Sequence, residues 1–174
     1  MKNGQNLRLG CIGGAMTELE LQAQVADYLR LQYPDVLFHS DFGSGIKLTM
    51  GQAAKQKRLQ GGRRAWPDMF IAEPKVRHTT DGEWGIKLGW AQLDDGTDYY
   101  AMMFAGLFLE LKRDGTRLKK KSGEWANEHI AEQAELLHIL RQKGFSAEFA
   151  CGFDEAKKII DGYLDSSTKE EVEF

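Results

Sequence analysis

The chain has 174 residues and a mass of 19.7 kDa, the size of one domain with room for a small insertion. Hydrophobic residues at 42% and charged residues at 28% exclude a disordered or fibrous class, and a globular domain of this length needs no disulfide staples. A net charge of −3 and a pI near 5.8 argue against a protein that coats nucleic acid, while leaving room for local basic patches.

Cys11 and Cys151 are too few for a structural zinc site, form no CxxC pair and fit a reducing, cytoplasmic compartment. No apolar run approaches the roughly 20 residues that span a bilayer, so no membrane partner is expected. Met1–Met16 lacks the apolar core of a secretory signal. Residues 1–16 therefore read as a flexible tail ahead of the ordered domain.

Thr17, followed by Glu18 and Glu20, predicts a helix start, with a hydroxyl cap and carboxylates in the first turn. Leu21, Val25 and Leu29 repeat at four-residue spacing up to Tyr33, and Pro34 ends the helix. Val36–Phe38 reads as a short strand and Gln52–Leu59 as a short helix. Pro67 opens a second strand over Asp68–Ala72. Pro74 to Tyr100, with four glycines and with Trp84, Trp90, Tyr99 and Tyr100, suggests one or two hairpins. Leu107–Leu111 is an apolar strand that ends in Glu110 and Lys112 before the turn Asp114–Gly115. Glu128–Lys143 is a helix with Ile130, Ala134, Leu137 and Leu140 inward, closed by Gly144. Ser146–Cys151 is a further strand, and Asp154–Leu164 a last helix capped by Asp154. Asp165–Phe174 is an acidic, solvated tail. The order of elements predicts a mixed α/β domain.

Polar residues at positions the pattern reserves for apolar ones carry the functional signal. Glu18 lies about 20° from Val25 on the helical wheel, and Gln133 about 20° from Leu140. Period two places Glu110 and Lys112 on one side of their strand, where burial costs energy unless the two pair or hold something. Asp68 stands at a strand start. Taken singly, each has a plainer explanation: a first-turn dipole residue, a boundary glutamine, a surface ion pair, a turn residue.

Together, Pro67-Asp68 and Glu110-Leu111-Lys112 resemble the PD-(D/E)XK nuclease signature. Glu18 with Gln22 resembles the acidic helix before the core of such nucleases. Gln133 matches the glutamine of the virus-type replication-repair (VRR-NUC) branch, whose ending is also similar to Lys143-Gly144-Phe145, a strand, and Asp154-Glu155-Ala156. The resemblance covers residues 17–164 and implies a restriction-endonuclease-like α/β core, a central mixed sheet flanked by helices. The gap between Asp68 and Glu110 is longer than the compact family hairpin, so residues 75–100 are expected to be an insertion. Its aromatics form a small core of its own, a subunit contact or a strand-separating wedge.

The resemblance implies phosphodiester hydrolysis with Mg²⁺, for which Mn²⁺ substitutes. Asp68, Glu110, the Leu111 carbonyl and Glu18 would hold the metal. Lys112 would position the attacking water and stabilise the charged transition state, and Gln133 would orient Lys112, a water or a phosphate oxygen. Two basic runs suit a phosphate-rich partner: Lys55, Lys57, Arg58, Arg63 and Arg64, and then Arg117, Lys119, Lys120 and Lys121 after Lys112 and Arg113. As solvated loops they would do nothing more. Backbone contacts carry little base information, so recognition of branched or flapped DNA by shape is expected. His39 and His129 are either structural or near the phosphate or metal. The implied protein is a homodimeric, structure-selective DNA endonuclease of phage or bacterial replication, recombination or repair. The alternative is a non-catalytic DNA-binding or assembly module on the same fold, and DNA against RNA stays open.

Overall fold

The computed structural model describes residues 16–41, 49–61, 65–79, 90–92 and 99–165. The expected N-terminal tail (up to residue 15), the acidic tail from residue 166, Arg63, Arg64 and Trp84 lie outside the described residues.

Helix α1 (Glu18–Gln32) starts as the sequence predicts, and more firmly. The Thr17 hydroxyl accepts from the Glu20 amide, and the Glu20 carboxylate accepts from the Thr17 amide at 2.8 Å, a reciprocal cap that satisfies two otherwise orphaned donors. The apolar stripe Leu21, Val25 and Leu29 is buried, as the four-residue spacing requires.

Strands β1 (Phe38–Ser40), β2 (Met69–Ile71), β6 (Leu107–Lys112) and β7 (Ser146–Cys151) form one sheet in the order β1-β2-β6-β7. The first two pairings are antiparallel and β6–β7 is parallel, so the sheet is mixed. The first strand lies two residues later than Val36–Phe38, and β2 begins one residue after Asp68, leaving that carboxylate at the strand mouth. Helix α2 (Met50–Leu59) joins β1 to β2. Between β2 and β6 lies a second, three-stranded antiparallel sheet, order β3-β5-β4, made of β3 (Lys75–Thr79), β4 (Trp90–Gln92) and β5 (Tyr99–Phe104). Beyond the expected hairpin, β5 is the central strand and pairs with β3 on one side and β4 on the other.

Helix α3 (Glu128–Gln142) is capped by the Asn127 side chain on the Ile130 amide at 2.9 Å. It ends as predicted at Gly144, whose φ of 87° lets the Gly144 and Phe145 amides reach back to the Arg141 and Leu140 carbonyls. Helix α4 (Phe153–Leu164) corrects one expectation, because its cap is Gly152 and Asp154 sits inside the first turn. The carboxylate that works at this end is Glu155, which accepts from the Cys151 amide at 2.6 Å.

Alternation along β2 and β6 divides the sheet. Met69, Ile71, Leu107, Leu109 and Leu111 point into the main core with α1 and α4, all at 1% exposure or less. Phe108 points to the other face, where it packs with Phe145, Phe149 and the α3 residues Leu136, Leu137 and Leu140. Gly106 is required by close approach, since a Cβ there would meet the Phe70 ring at 2.6 Å and the Ile71 carbonyl at 2.8 Å.

Candidate active site

The α3 side of the sheet carries the polar residues singled out from the sequence. Pairing of Met69 with Leu109 sets Asp68 opposite Glu110, and the Asp68 Oδ2 accepts from the Leu111 amide at 2.8 Å. Lys112, two residues beyond Glu110, shares its face and donates to Glu110 Oε1 at 2.8 Å. Gln133 reaches down from α3, and its Nε2 donates to the same Oε1. Asp68, Glu110, Lys112 and Gln133 are all buried. Burial of ionic groups costs several kcal/mol each, in round terms, unless they are paired and hydrogen-bonded.

Glu18 completes the group from the start of α1, with Oε1 at 3.8 Å from Lys112 Nζ, though its side chain is 42% exposed. Three carboxylates thus face one ammonium. Burial first, and the Asp68 carboxylate second, push the Glu110 carboxyl up to about 8, against the pull of Lys112. Burial alone would lower the Lys112 ammonium, but Glu110, Glu18 and Asp68 outweigh it and hold the lysine above its ordinary value. The cluster carries a surplus of negative charge that one lysine does not neutralise.

That surplus is the argument for a cation. Among the described residues no three His, Cys, Asp or Glu side chains stand ready as a metal cage, since Glu110 is turned to Lys112 and Gln133. The donors are nonetheless hard oxygens on neighbouring strands, the kind a Mg²⁺ ion with retained waters takes. The Gln133 Oε1 is buried with no hydrogen-bond partner, an acceptor suited to a water at that ion. The residues present fit the group.

Gln22 is the residue whose role the sequence does not reveal. Buried on α1, its Nε2 donates to Ser40 Oγ at 2.7 Å, the Asp41 carbonyl at 2.6 Å and the Asp68 carbonyl at 3.1 Å. It ties the end of β1 and the start of β2 to α1, and so sets the height of Asp68. Its four-residue offset from Glu18 is the only signal of this in the sequence.

The basic residues lie elsewhere. Lys55, Lys57 and Arg58 are exposed on α2, and Arg117, Lys119, Lys120 and Lys121 are exposed after β6. Lys119 lies over the Trp125 ring at 4.9 Å, and Lys120 pairs with Glu124 at 3.6 Å. His39 and His129 are exposed, neither bonded to the carboxylates.

No family model and no curated protein matches the chain. A solved structure described as a VRR_NUC domain protein does. It is 21% identical, with a TM-score of 0.54, over 88% of this chain and 93% of that one. The two share a fold, an α/β arrangement with a mixed four-stranded sheet flanked by helices. Among the described residues no helix is long and apolar enough to cross a membrane.

Proposed function

We propose that this protein is a nuclease that hydrolyses phosphodiester bonds with a divalent cation, Mg²⁺ or Mn²⁺, held by Asp68, Glu110, the Leu111 carbonyl and Glu18. The observation that carries the reading is the burial of Asp68, Glu110, Lys112 and Gln133 together on the two central strands and α3, with Lys112 and Gln133 both donating to one Glu110 oxygen. A scaffold with no chemistry to perform has no use for so costly a cluster. The fold shared with a VRR_NUC domain protein supports the same conclusion.

When bound, the cation supplies charge neutralisation at the phosphate and acidifies a water. The chain's own groups do the rest. Lys112, fixed by Glu110 and drawn toward Glu18, presents a positive charge to the phosphate and a donor to the attacking water. Gln133 spends its amide nitrogen on Glu110 and keeps its oxygen for that water. Gln22 holds Asp68 in place through the backbone.

The substrate we infer is branched or flapped DNA, gripped along its backbone by Lys55, Lys57, Arg58, Arg63 and Arg64 and by Arg117, Lys119, Lys120 and Lys121. Cleavage in both strands calls for a homodimer, in the cytoplasm of a bacterial or phage-infected cell. Residues 17–164 form the nuclease unit in this reading, and residues 75–100 its insertion. The test is a panel of flap, fork, four-way-junction and linear DNAs with Mg²⁺ or Mn²⁺. Cleavage that falls roughly 10²- to 10³-fold or more in Asp68→Ala and Glu110→Ala is expected. Cleavage of none, or cleavage indifferent to both substitutions, overturns the reading.

A further inference from the structure

Two rows of side chains run across β1, β2 and β6 on the α3 side. The register aligns His39 with Phe70 and Phe70 with Phe108. Two residues along the strands, the Asp41 amide donates to the Asp68 carbonyl at 2.8 Å, so the next row on the same face is Asp41, Asp68 and Glu110. An aromatic row therefore lies one pleat repeat, about 7 Å, from the carboxylate row. That is the reach from a nucleotide's phosphate to its base.

A cleft of about 420 Å³ opens over the aromatic row. Its floor is the stacked pair Phe70 and Phe108, with ring centroids 4.5 Å apart, and Trp66 leans over Phe108 at 6.3 Å. Trp66 is 37% exposed, yet its indole is held still, with Nε1–H donating to the Gln60 carbonyl at 3.0 Å. The rim is polar and contains His39, Gln60 and Asp41, with the Gln60 amide 3.4 Å from the Asp41 carboxylate. Pro67 is both a wall of the cleft and the neighbour of Asp68.

The chemistry selects the occupant. An aromatic floor with a carboxylate at its rim disfavours a phosphate. It suits a flat heteroaromatic ring with N–H donors and carbonyl acceptors at its edge. A base in a duplex cannot offer both faces, so the ring must be unstacked. We propose that this cleft takes one unpaired nucleobase of the DNA substrate, stacked on Trp66, while the adjoining phosphate lies at Asp68 and Glu110. The proposal rests on the nuclease reading and narrows it to substrates with an unpaired nucleotide at the cut, such as flaps and frayed forks. Phe70 and Phe108 supply the floor, and Gln60 both locks the indole and offers its amide to the base edge.

The test uses the full chain in EDTA at low salt, so that nothing is cut. Fluorescence anisotropy compares a labelled oligothymidylate with an abasic oligonucleotide of the same length. Wild type is expected to prefer the thymidylate by roughly 5- to 100-fold, the range of base stacking on an aromatic side chain. Trp66→Ala, checked for native circular dichroism, should erase that preference and leave abasic binding unchanged, and Trp66→Phe should keep most of it. Equal wild-type affinity for the two probes, or a preference that survives in Trp66→Ala, overturns the proposal. If Trp66→Ala does not fold, Trp66→Leu takes its place, and the same loss or survival of the preference decides. A protein that prefers the thymidylate but cuts none of the DNA panel would refute the nuclease reading and leave the base site standing.

Discussion

The two faces of the β2–β6 pair both carry fully buried side chains, and they are built from opposite chemistry. One presents Met69, Ile71, Leu107, Leu109 and Leu111 to α1 and α4. The other, one residue out of phase, presents Asp68, Glu110 and Lys112 beside Phe70 and Phe108. The apolar face stabilises the fold by roughly 25 cal/mol for each Å² removed from water. The polar face costs stability and leaves surplus charge, which is the cost the proposed function would account for. The difference teaches where this domain spends its stability.

Adjacent residues with opposite effects break or sharpen that comparison best. Leu109→Ala should destabilise the protein by roughly 2–5 kcal/mol, visible in urea unfolding at any pH. Glu110→Gln, one residue on, should remove nuclease activity and raise thermal stability at pH 8 without metal, because it deletes a repelled buried carboxylate. If Glu110→Gln destabilises as Leu109→Ala does, the two faces are not different in kind. Lys112→Met should cost about 3–5 kcal/mol at pH 8 and less at pH 5, where Glu110 holds its own proton. A penalty independent of pH would mean that packing, not charge, sets the value of this side chain. Gln22→Ala leaves acceptors of β1 and β2 without their shared donor and should cost about 1–3 kcal/mol. Activity should fall by more than the stability loss explains. Thr17→Ala removes the exposed cap of α1, on the residue before Glu18, and should cost only about 1 kcal/mol in urea unfolding.

Much of the fold was legible where local physics decides. The α1 start, the Gly144 end of α3 and the bounds of β7 follow from caps and periodicity that the chain carries nearby. The misplaced β1 is three residues long, too short for alternation to show, and its position is set by pairing with β2. Asp154 looked like a cap because its type is right. Gly152, at φ 85°, turns the chain two residues earlier and hands the work to Glu155. The second sheet needs pairing of β3 with β5, a non-local choice that no periodicity announces.

At the site, Asp68 stood out because it follows Pro67 at a strand start, Glu110 and Lys112 because they share one side at the end of an apolar strand, and Gln133 because it falls on an apolar helix face. Glu18, on the same reasoning, lies at the edge of the group and half in solvent. Gln22 works on backbone carbonyls, and the row of His39, Phe70 and Phe108 exists only once strand register is known. The offset of Gln22 from Glu18 hints at the first, and the linear pattern carries no mark of the second.

The central claim is that the polar face is a cation-demanding site rather than a settled ion pair. Its most direct test is melting temperature from pH 5 to pH 8.5, with and without Mg²⁺, for wild type and Glu110→Gln. A carboxyl pushed up to about 8 in the fold gives stability that is full below its ordinary range near 4.5 and is lost as pH rises through 8. The account predicts that wild type in EDTA melts progressively lower across that window, by an amount equivalent to a few kcal/mol. Mg²⁺ should restore the loss, and Glu110→Gln should show neither the fall nor the rescue. Identical pH profiles for the two proteins, with no effect of Mg²⁺ on either, would contradict it.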